Sequence, residues 1–433
     1  MSESKKNWWS LIILILSGEA IFFLPYVLSR IFRPTVLDFF SINNVELGFC
    51  FSIYGFVAIF SYIFGGPIAD KFPPRKLISI ALISTSLGGI VYANSPSYYL
   101  LKVLYAYWGF TTVFLFWSPL IKATRIWGAK STQIKAFGLL EGGRGIVGAM
   151  IGTIGLLIFS FFSESNSLSS EQHKVAFEYV IYSTSFIVFI IGLIVWFFLK
   201  LDYDNEQDHI EGRLSLDKIK KVIKLPSVYL LMIIILCAYM GYKTTDIISL
   251  YAKDIMMYNH VNSAQIANLL LYCRPIIAIL IAIYLSNLDS KILLVVGFLI
   301  TGISSSFFFL GISSQSSNLI FIVSIIFLAI GVYALRTLYF SVLEEGRIPV
   351  ILTGTAVGVI SIIGYTPDIF SGPLIGYFID SYEGVKGYNY VFMILAGFSF
   401  FAPFLIPAIS GKLHLAECMR TPAFFRALPW SHL

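Results

Sequence analysis

Apolar residues in this chain come in long unbroken runs, without the alternation or one-in-four spacing of a water-soluble protein. About twelve such runs follow one another from Trp8 to the region of Phe401. A bilayer core about 30 Å thick needs roughly 20 apolar residues per helical crossing, and the runs have that length. They are read as spans at 8–30, 46–69, 77–94, 98–121, 136–162, 177–199, 228–252, 264–286, 291–311, 318–341, 351–376 and 389–409. Hydrocarbon offers backbone groups no water to bond, so each span is expected to be a helix. The first run lacks a small-residue cleavage signature and is read as a span, not a signal peptide. Pro25, Pro67, Pro119, Pro275, Pro367 and Pro373 are expected to kink some of the helices.

Composition agrees with this pattern. Of 433 residues, 57% are hydrophobic and 12% charged, with a mean hydropathy of +0.82. A soluble domain carries about 25% charged residues. The net charge of +6 reads out orientation, not nucleic-acid binding. With the N-terminus in the cytoplasm, 20 of the 30 Lys and Arg fall in cytoplasmic segments and 4 in outer loops. That bias places both termini in the cytoplasm and makes the chain a multi-pass plasma (inner) membrane protein. Of the four cysteines, Cys50, Cys237 and Cys273 lie in spans and Cys418 in the tail. No CxxC pair occurs, so neither a disulfide framework nor a metal site is expected.

The polar loop from Lys200 to Pro226 is the longest on the cytoplasmic side. It divides the chain into an N-terminal six-helix bundle (1–199), a linker (200–227), a C-terminal six-helix bundle (228–411) and a tail (412–433). Gly138 and Gly142 of the fifth span recur as Gly354 and Gly358 of the eleventh, at an offset of 216. The expected fold is an all-α membrane protein of twelve transmembrane helices in two bundles related as parallel repeats.

The string Gly66-Pro-Ile-Ala-Asp70-Lys71-Phe-Pro-Pro-Arg75-Lys76 joins the second and third spans. It resembles the loop 2–3 motif of the major facilitator superfamily, with Pro73 and Pro74 in place of the usual Gly and first Arg. The string Gly372-Pro-Leu-Ile-Gly376-Tyr-Phe-Ile-Asp380 at the outer end of the eleventh span is also similar to that superfamily. A narrower resemblance is to the organophosphate:phosphate antiporters and sugar-phosphate permeases. It rests on Pro74-Arg75, Tyr26-Val-Leu-Ser-Arg30, Trp117-Ser-Pro119 with Lys122, and Tyr242-Lys-Thr-Thr-Asp246 with Tyr251-Ala-Lys253. That family's span-seven Arg falls on Gly241 here, and its span-five His on Arg144. The resemblance implies a cytoplasmic gate at Asp70, Lys71 and Arg75, and an anion-binding role for Arg30.

An ionised side chain at the centre of a spanning helix costs about 2.5–3.5 kcal/mol on insertion scales. Such groups therefore face a cavity or a partner. They are Glu19, Arg30, Lys102, Glu141, Arg144, Lys243, Asp246, Arg274, Arg336 and Asp368, six basic and four acidic, which favours an anionic solute. Arg30, Arg144, Lys243 and Arg274, with Tyr26 and Tyr242, are the candidate substrate contacts. Glu19, Asp246 and Glu141 are the candidate proton carriers, and the alternative for Glu19 is a partner for one of these cations. For Arg30 the alternative is an interfacial side chain reaching the headgroups. For Glu141–Arg144 and Lys243–Asp246, each three apart on one helix face, the alternative is a structural ion pair. In the fifth span that pair would sit on a packing face made by Gly138, Gly142, Gly145 and Gly148. None of His173, His209, His260, His414 and His432 is placed in a span, so a histidine proton relay is not expected.

No nucleotide, hydrolase or metalloprotease motif lies in a suitable context, so no cofactor and no enzymatic activity are expected. The reading is a monomeric secondary active transporter moving a small organic anion by alternating access, as antiporter or symporter. A sugar phosphate or a carboxylate is the first candidate. The alternatives are a membrane ligand sensor and a proton-coupled facilitator of neutral solutes.

Overall fold

The computed structural model describes residues 8–128, 133–162, 170–201, 216–285, 288–315, 318–339 and 353–410. Among them, 12 helices are long and apolar enough to cross a membrane. Spans 1 to 6 are Trp8–Ile31, Asn44–Tyr62, Pro74–Ala93, Tyr98–Gly128, Ala136–Phe162 and Glu171–Phe198. Spans 7 to 12 are Pro226–Asp254, His260–Leu285, Ser290–Phe309, Asn318–Leu338, Ala356–Ser381 and Val385–Phe404. No strand occurs among the described residues. The protein is thus a multi-pass, all-α membrane protein.

Local chemistry explains where the helices start and break. Asn43 opens the helix Asn44–Lys71 with a capping box. Its side chain accepts from the Glu46 backbone N–H, and Glu46 returns the bond to the Asn43 N–H. Lys122 of span 4 donates from Nζ to the Ala69 carbonyl at 2.8 Å and satisfies the far end of that helix. Span 1 passes through a π-helical turn, Phe23–Val27, that contains Pro25. Proline lacks the N–H that would hold the regular ladder, so the bend falls there. Span 7 changes from α-helix to a 3-10 turn at Thr245–Ile247 before resuming at Ile248–Asp254. Span 11 extends five residues beyond its expected end at 376, because Pro367 restarts the helix as Pro367–Ser381.

By internal contacts the chain divides into two compact units. One comprises Met1–Arg213, Thr245–Ile276 and Asp368–Gly384, and the other Leu214–Thr244, Ile277–Pro367 and Val385–Leu433. Parts of spans 7, 8 and 11 therefore pack with the first sequence half. Within that first unit the contact is close. A Cβ added to Gly48 would overlap the backbone of Gly372, and one added to Gly376 would overlap the backbone of Asn44. These approaches need hydrogen in place of a side chain. They account for two glycines of the Gly372-to-Asp380 string. Its aspartate caps the start of span 2. The Asp380 carboxylate accepts from the Val45 N–H at 2.8 Å and from Asn44 Nδ2 at 2.9 Å. Arg33 Nε donates to Asn44 Oδ1 at 3.0 Å. A carboxylate at a helix N-terminus meets free N–H groups and the positive end of the helix dipole.

Candidate functional site

Two groups of charge are buried in the first unit. The larger is a closed ring of four side chains from spans 1, 5 and 8. Glu19 accepts from Arg144 Nε at 3.2 Å and from Arg274 Nη1 at 3.3 and 3.4 Å. Glu141 accepts from Arg144 Nη1 at 2.5 Å and from Arg274 Nη2 at 3.1 Å. Each carboxylate thus bridges two guanidiniums, and each guanidinium two carboxylates. The ring joins residues from both sequence halves, because Arg274 lies in the second. The Glu141–Arg144 bond follows from their spacing of three on one helix. The bonds of Glu19 to Arg144 and Arg274 cross 125 and 255 residues.

Packing holds the ring around Glu19 and the two arginines. A Cβ on Gly18 would lie 3.2 Å from Arg144 Cδ, one on Gly148 3.1 Å from Glu19 Oε1, and one on Gly145 2.9 Å from Pro275. The guanidinium carbon of Arg144 also lies 5.6 Å from the centre of the Phe22 ring and 5.8 Å from that of Trp117, within cation–π range. The four glycines expected to share one packing face split into two sets. Gly145 and Gly148 hold the ring, whereas a Cβ on Gly138 or Gly142 would meet no atom of the described residues within 4 Å. Gly148→Val is expected to displace Glu19 and cost about 1–3 kcal/mol, as overpacking does. Gly142→Ala is expected to be near neutral. Thermal unfolding of the purified variants in detergent reads the difference.

The two carboxylates of the ring are unequal. The Glu19 side chain is 4% exposed and that of Glu141 49%.

The second group is an ion pair between spans 1 and 7. Arg30 Nε donates to Asp246 Oδ1 at 2.6 Å, with side chains 2% and 8% exposed. Ser249 donates to the Arg30 carbonyl at 2.9 Å. Arg30 is therefore buried and does not reach for headgroups. Asp246 lies in the 3-10 turn Thr245–Ile247 and joins span 1. Ring and pair together hold three cations and three anions, so these six balance, and the excess of base counted along the chain lies in the other four, Lys102, Lys243, Arg336 and Asp368.

Tyr26 stacks on Phe51 with centroids 5.2 Å apart and meets Tyr54 edge-on at 4.7 Å. Lys243 and Tyr242 belong to the other unit. There the Arg336 guanidinium lies 4.0 Å from the Tyr242 ring centre, and Tyr239 and Tyr333 adjoin Tyr242. Lys102 lies over Tyr98 at 4.5 Å. Of the residues expected to form a gate, Lys71 and Arg75 are exposed, and the side chain of Asp70 lies outside the described residues.

Two histidines correct the expectation that none lies in a span. His173 is in the first turn of span 6, and His260 opens span 8. Their rings stack with centroids 4.7 Å apart. The apolar windows obscured this, since each histidine stands among polar neighbours at a helix start.

Comparison with known proteins gives the same architecture. The family model described as Major Facilitator Superfamily matches residues 9–371. Inner membrane protein YqcE of Escherichia coli is 27% identical over 400 residues, covering 90% of this chain and 92% of that protein. Inner membrane protein YihN of the same organism is 26% identical over 404 residues, covering 92% and 94%. The crystal structure of a D-xylose-proton symporter superposes with a TM-score of 0.75 at 13% identity, covering 94% of this chain and all of that one. A bacterial homologue of the lysosomal transporter Spinster, in an inward-facing and occupied conformation, gives 0.70 at 14%, covering 98% and 100%. At such identities the structural likeness speaks for the fold, and the family match speaks for descent. The chain belongs to the major facilitator superfamily, a family of transporters.

Proposed function

We propose that this protein is a secondary transporter that carries a small organic anion by alternating access, with Arg144 and Arg274 as the seat of the anionic group. The observation that carries this reading is the Glu141 carboxylate. It is half exposed, yet each of its oxygens takes one bond from a different guanidinium. A substrate carboxylate or phosphate offers two oxygens of the same geometry, and a guanidinium fork suits both. Substrate would take the place of Glu141, while buried Glu19 keeps the two arginines in position. When substrate leaves, Glu141 returns, so the site never holds two bare cations.

The Arg30–Asp246 pair serves as the coupling element, since it joins span 1 to the point where span 7 changes its winding. Lys243, Tyr242 and Tyr26 belong to the substrate path in this reading. Asp70, Lys71 and Arg75 form the gate on the cytoplasmic side. The protein acts as a monomer in the inner membrane, with both termini in the cytoplasm. Exchange against phosphate needs no titrating carboxylate, whereas proton symport does. Uptake by Glu19→Gln and Asp246→Asn measured against pH separates the two.

The test of the anion seat uses purified protein and a panel of sugar phosphates, carboxylates and inorganic phosphate. A ligand at about 100 times its Kd adds about 2.7 kcal/mol of stability, which a thermal shift reads easily. Glu141→Gln is expected to bind the stabilising anion more tightly than wild type. Arg274→Ala is expected to lose at least about thirty-fold in affinity, the lower bound for truncating a buried charged contact. Stabilisation by neutral sugars alone would overturn the reading.

A further inference from the structure

The mechanism above leaves unused a second titratable cluster in the first unit. It brings together the short helix Arg33–Phe40 and the ends of spans 6, 7 and 8. His260 Nδ1 and the Thr35 hydroxyl share a hydrogen bond of 3.0 Å. His260 Nε2 lies 3.6 Å from Asp38 Oδ2, and Lys253 Nζ lies 3.3 Å from the same oxygen. His173 stacks on His260, and its other neighbour is Phe159, with ring centroids 6.1 Å apart. Among the described residues, the charged groups that act on the two imidazoles are one anion, Asp38, and one cation, Lys253.

We infer that the stacked pair His173–His260 is a proton-sensitive latch, which acid on its side of the membrane releases. This rests on the alternating-access reading. Thr35, Asp38 and His173 come from the first sequence half, Lys253 and His260 from the second. Opening at this end must separate them.

The charge arithmetic gives the direction. With both imidazoles neutral, Asp38 and Lys253 cancel. One proton leaves the cluster at +1. A second places two imidazoliums in ring contact beside Lys253, at +2, with Asp38 already shared. Once the halves separate, both rings meet water and take protons near their ordinary pKa of about 6.5. The open form thus binds more protons than the closed form. Each extra proton bound shifts the open-to-closed ratio by about tenfold per pH unit. Closure is favoured above about pH 6.5 and is lost as pH falls below it. On the orientation expected from the loop charges, this end faces outward, so external acid would present the site to the outside.

Spin labels at Glu171→Cys and Met257→Cys, in a transport-competent background with the four native cysteines replaced by alanine, report the distance across the cluster. Pulsed dipolar spectra in lipid nanodiscs at pH 7.5 and 5.5 are expected to show a longer-distance population that grows several-fold in acid. In the His173→Asn/His260→Asn double variant the two spectra should coincide. A wild-type distribution that ignores pH, or a double variant that keeps the shift, overturns the latch. Adding Gly48→Trp to the labelled protein separates this outcome from failure of alternating access itself. If that variant shows the long distance while acid does not, the end opens but the histidines do not control it. If no condition lengthens the distance, the transport reading falls as well.

Discussion

Gly48→Trp is expected to reduce net transport to background while leaving the protein folded and inserted. At Gly48 even a methyl group would overlap the Gly372 backbone. An indole cannot be accommodated by rotating a neighbouring side chain, because the obstacle is main chain. The closed arrangement at this end is then excluded, together with the Asp380 cap on span 2 and the Ser52 hydroxyl bond to the Ile369 carbonyl. The opposite conformation keeps its own contacts, so thermal unfolding is expected to remain cooperative. Gly372→Trp should act alike, since the two glycines meet each other. Uptake into proteoliposomes and labelling of a cysteine introduced on the cavity face give the two readouts. Substantial uptake by either variant would show that transport does not require this end to close.

Glu19→Ala has the second large effect, and it falls on stability. Glu19 is 3% exposed and bonded to two arginines that are 5% and 6% exposed. Removing one member of a buried ion cluster leaves charge without compensation and costs about 3–5 kcal/mol. Glu141 cannot make good the loss, because both its oxygens are already engaged by the same arginines. The cost should show as a large fall in the unfolding temperature in detergent. The Glu19→Ala/Arg274→Ala double variant is expected to recover part of it, since the charges again balance. If the single variant is as stable as wild type, the ring does not hold spans 1, 5 and 8 together.

These two expectations mark how far the chain alone could be read. The spans were legible because apolar length is a one-dimensional signal that a bilayer enforces. The superfamily was legible from the loop around Asp70 and the string ending at Asp380. Within the site, Glu141 and Arg144 are three residues apart on one helix, and spacing was enough. Asp246 was placed with Lys243 by the same rule. The carboxylate also has a partner 216 residues away, Arg30, which a spacing rule cannot supply. That Glu19 could partner a buried cation was legible, but which arginines it meets depends on which helices become neighbours. Counting bases and acids along the chain does not show which ones meet, so the other pairings within ring and pair were not legible there. His173 and His260 were set aside because hydropathy windows end where helices begin.

The ring also bears on how the protein is made. Glu19 leaves the ribosome 125 residues before Arg144 and 255 before Arg274. At about 5–20 residues per second, the second interval lasts about 10–50 s. Throughout it the first helix carries an acidic group whose final counterions do not yet exist. That helix must wait at a wet protein interface or in the insertion machinery, and the bundle can seal only after the eighth helix arrives. A chain truncated before Arg274 should accordingly be a ready substrate for membrane quality control, whereas one ending just after span 8 should persist longer.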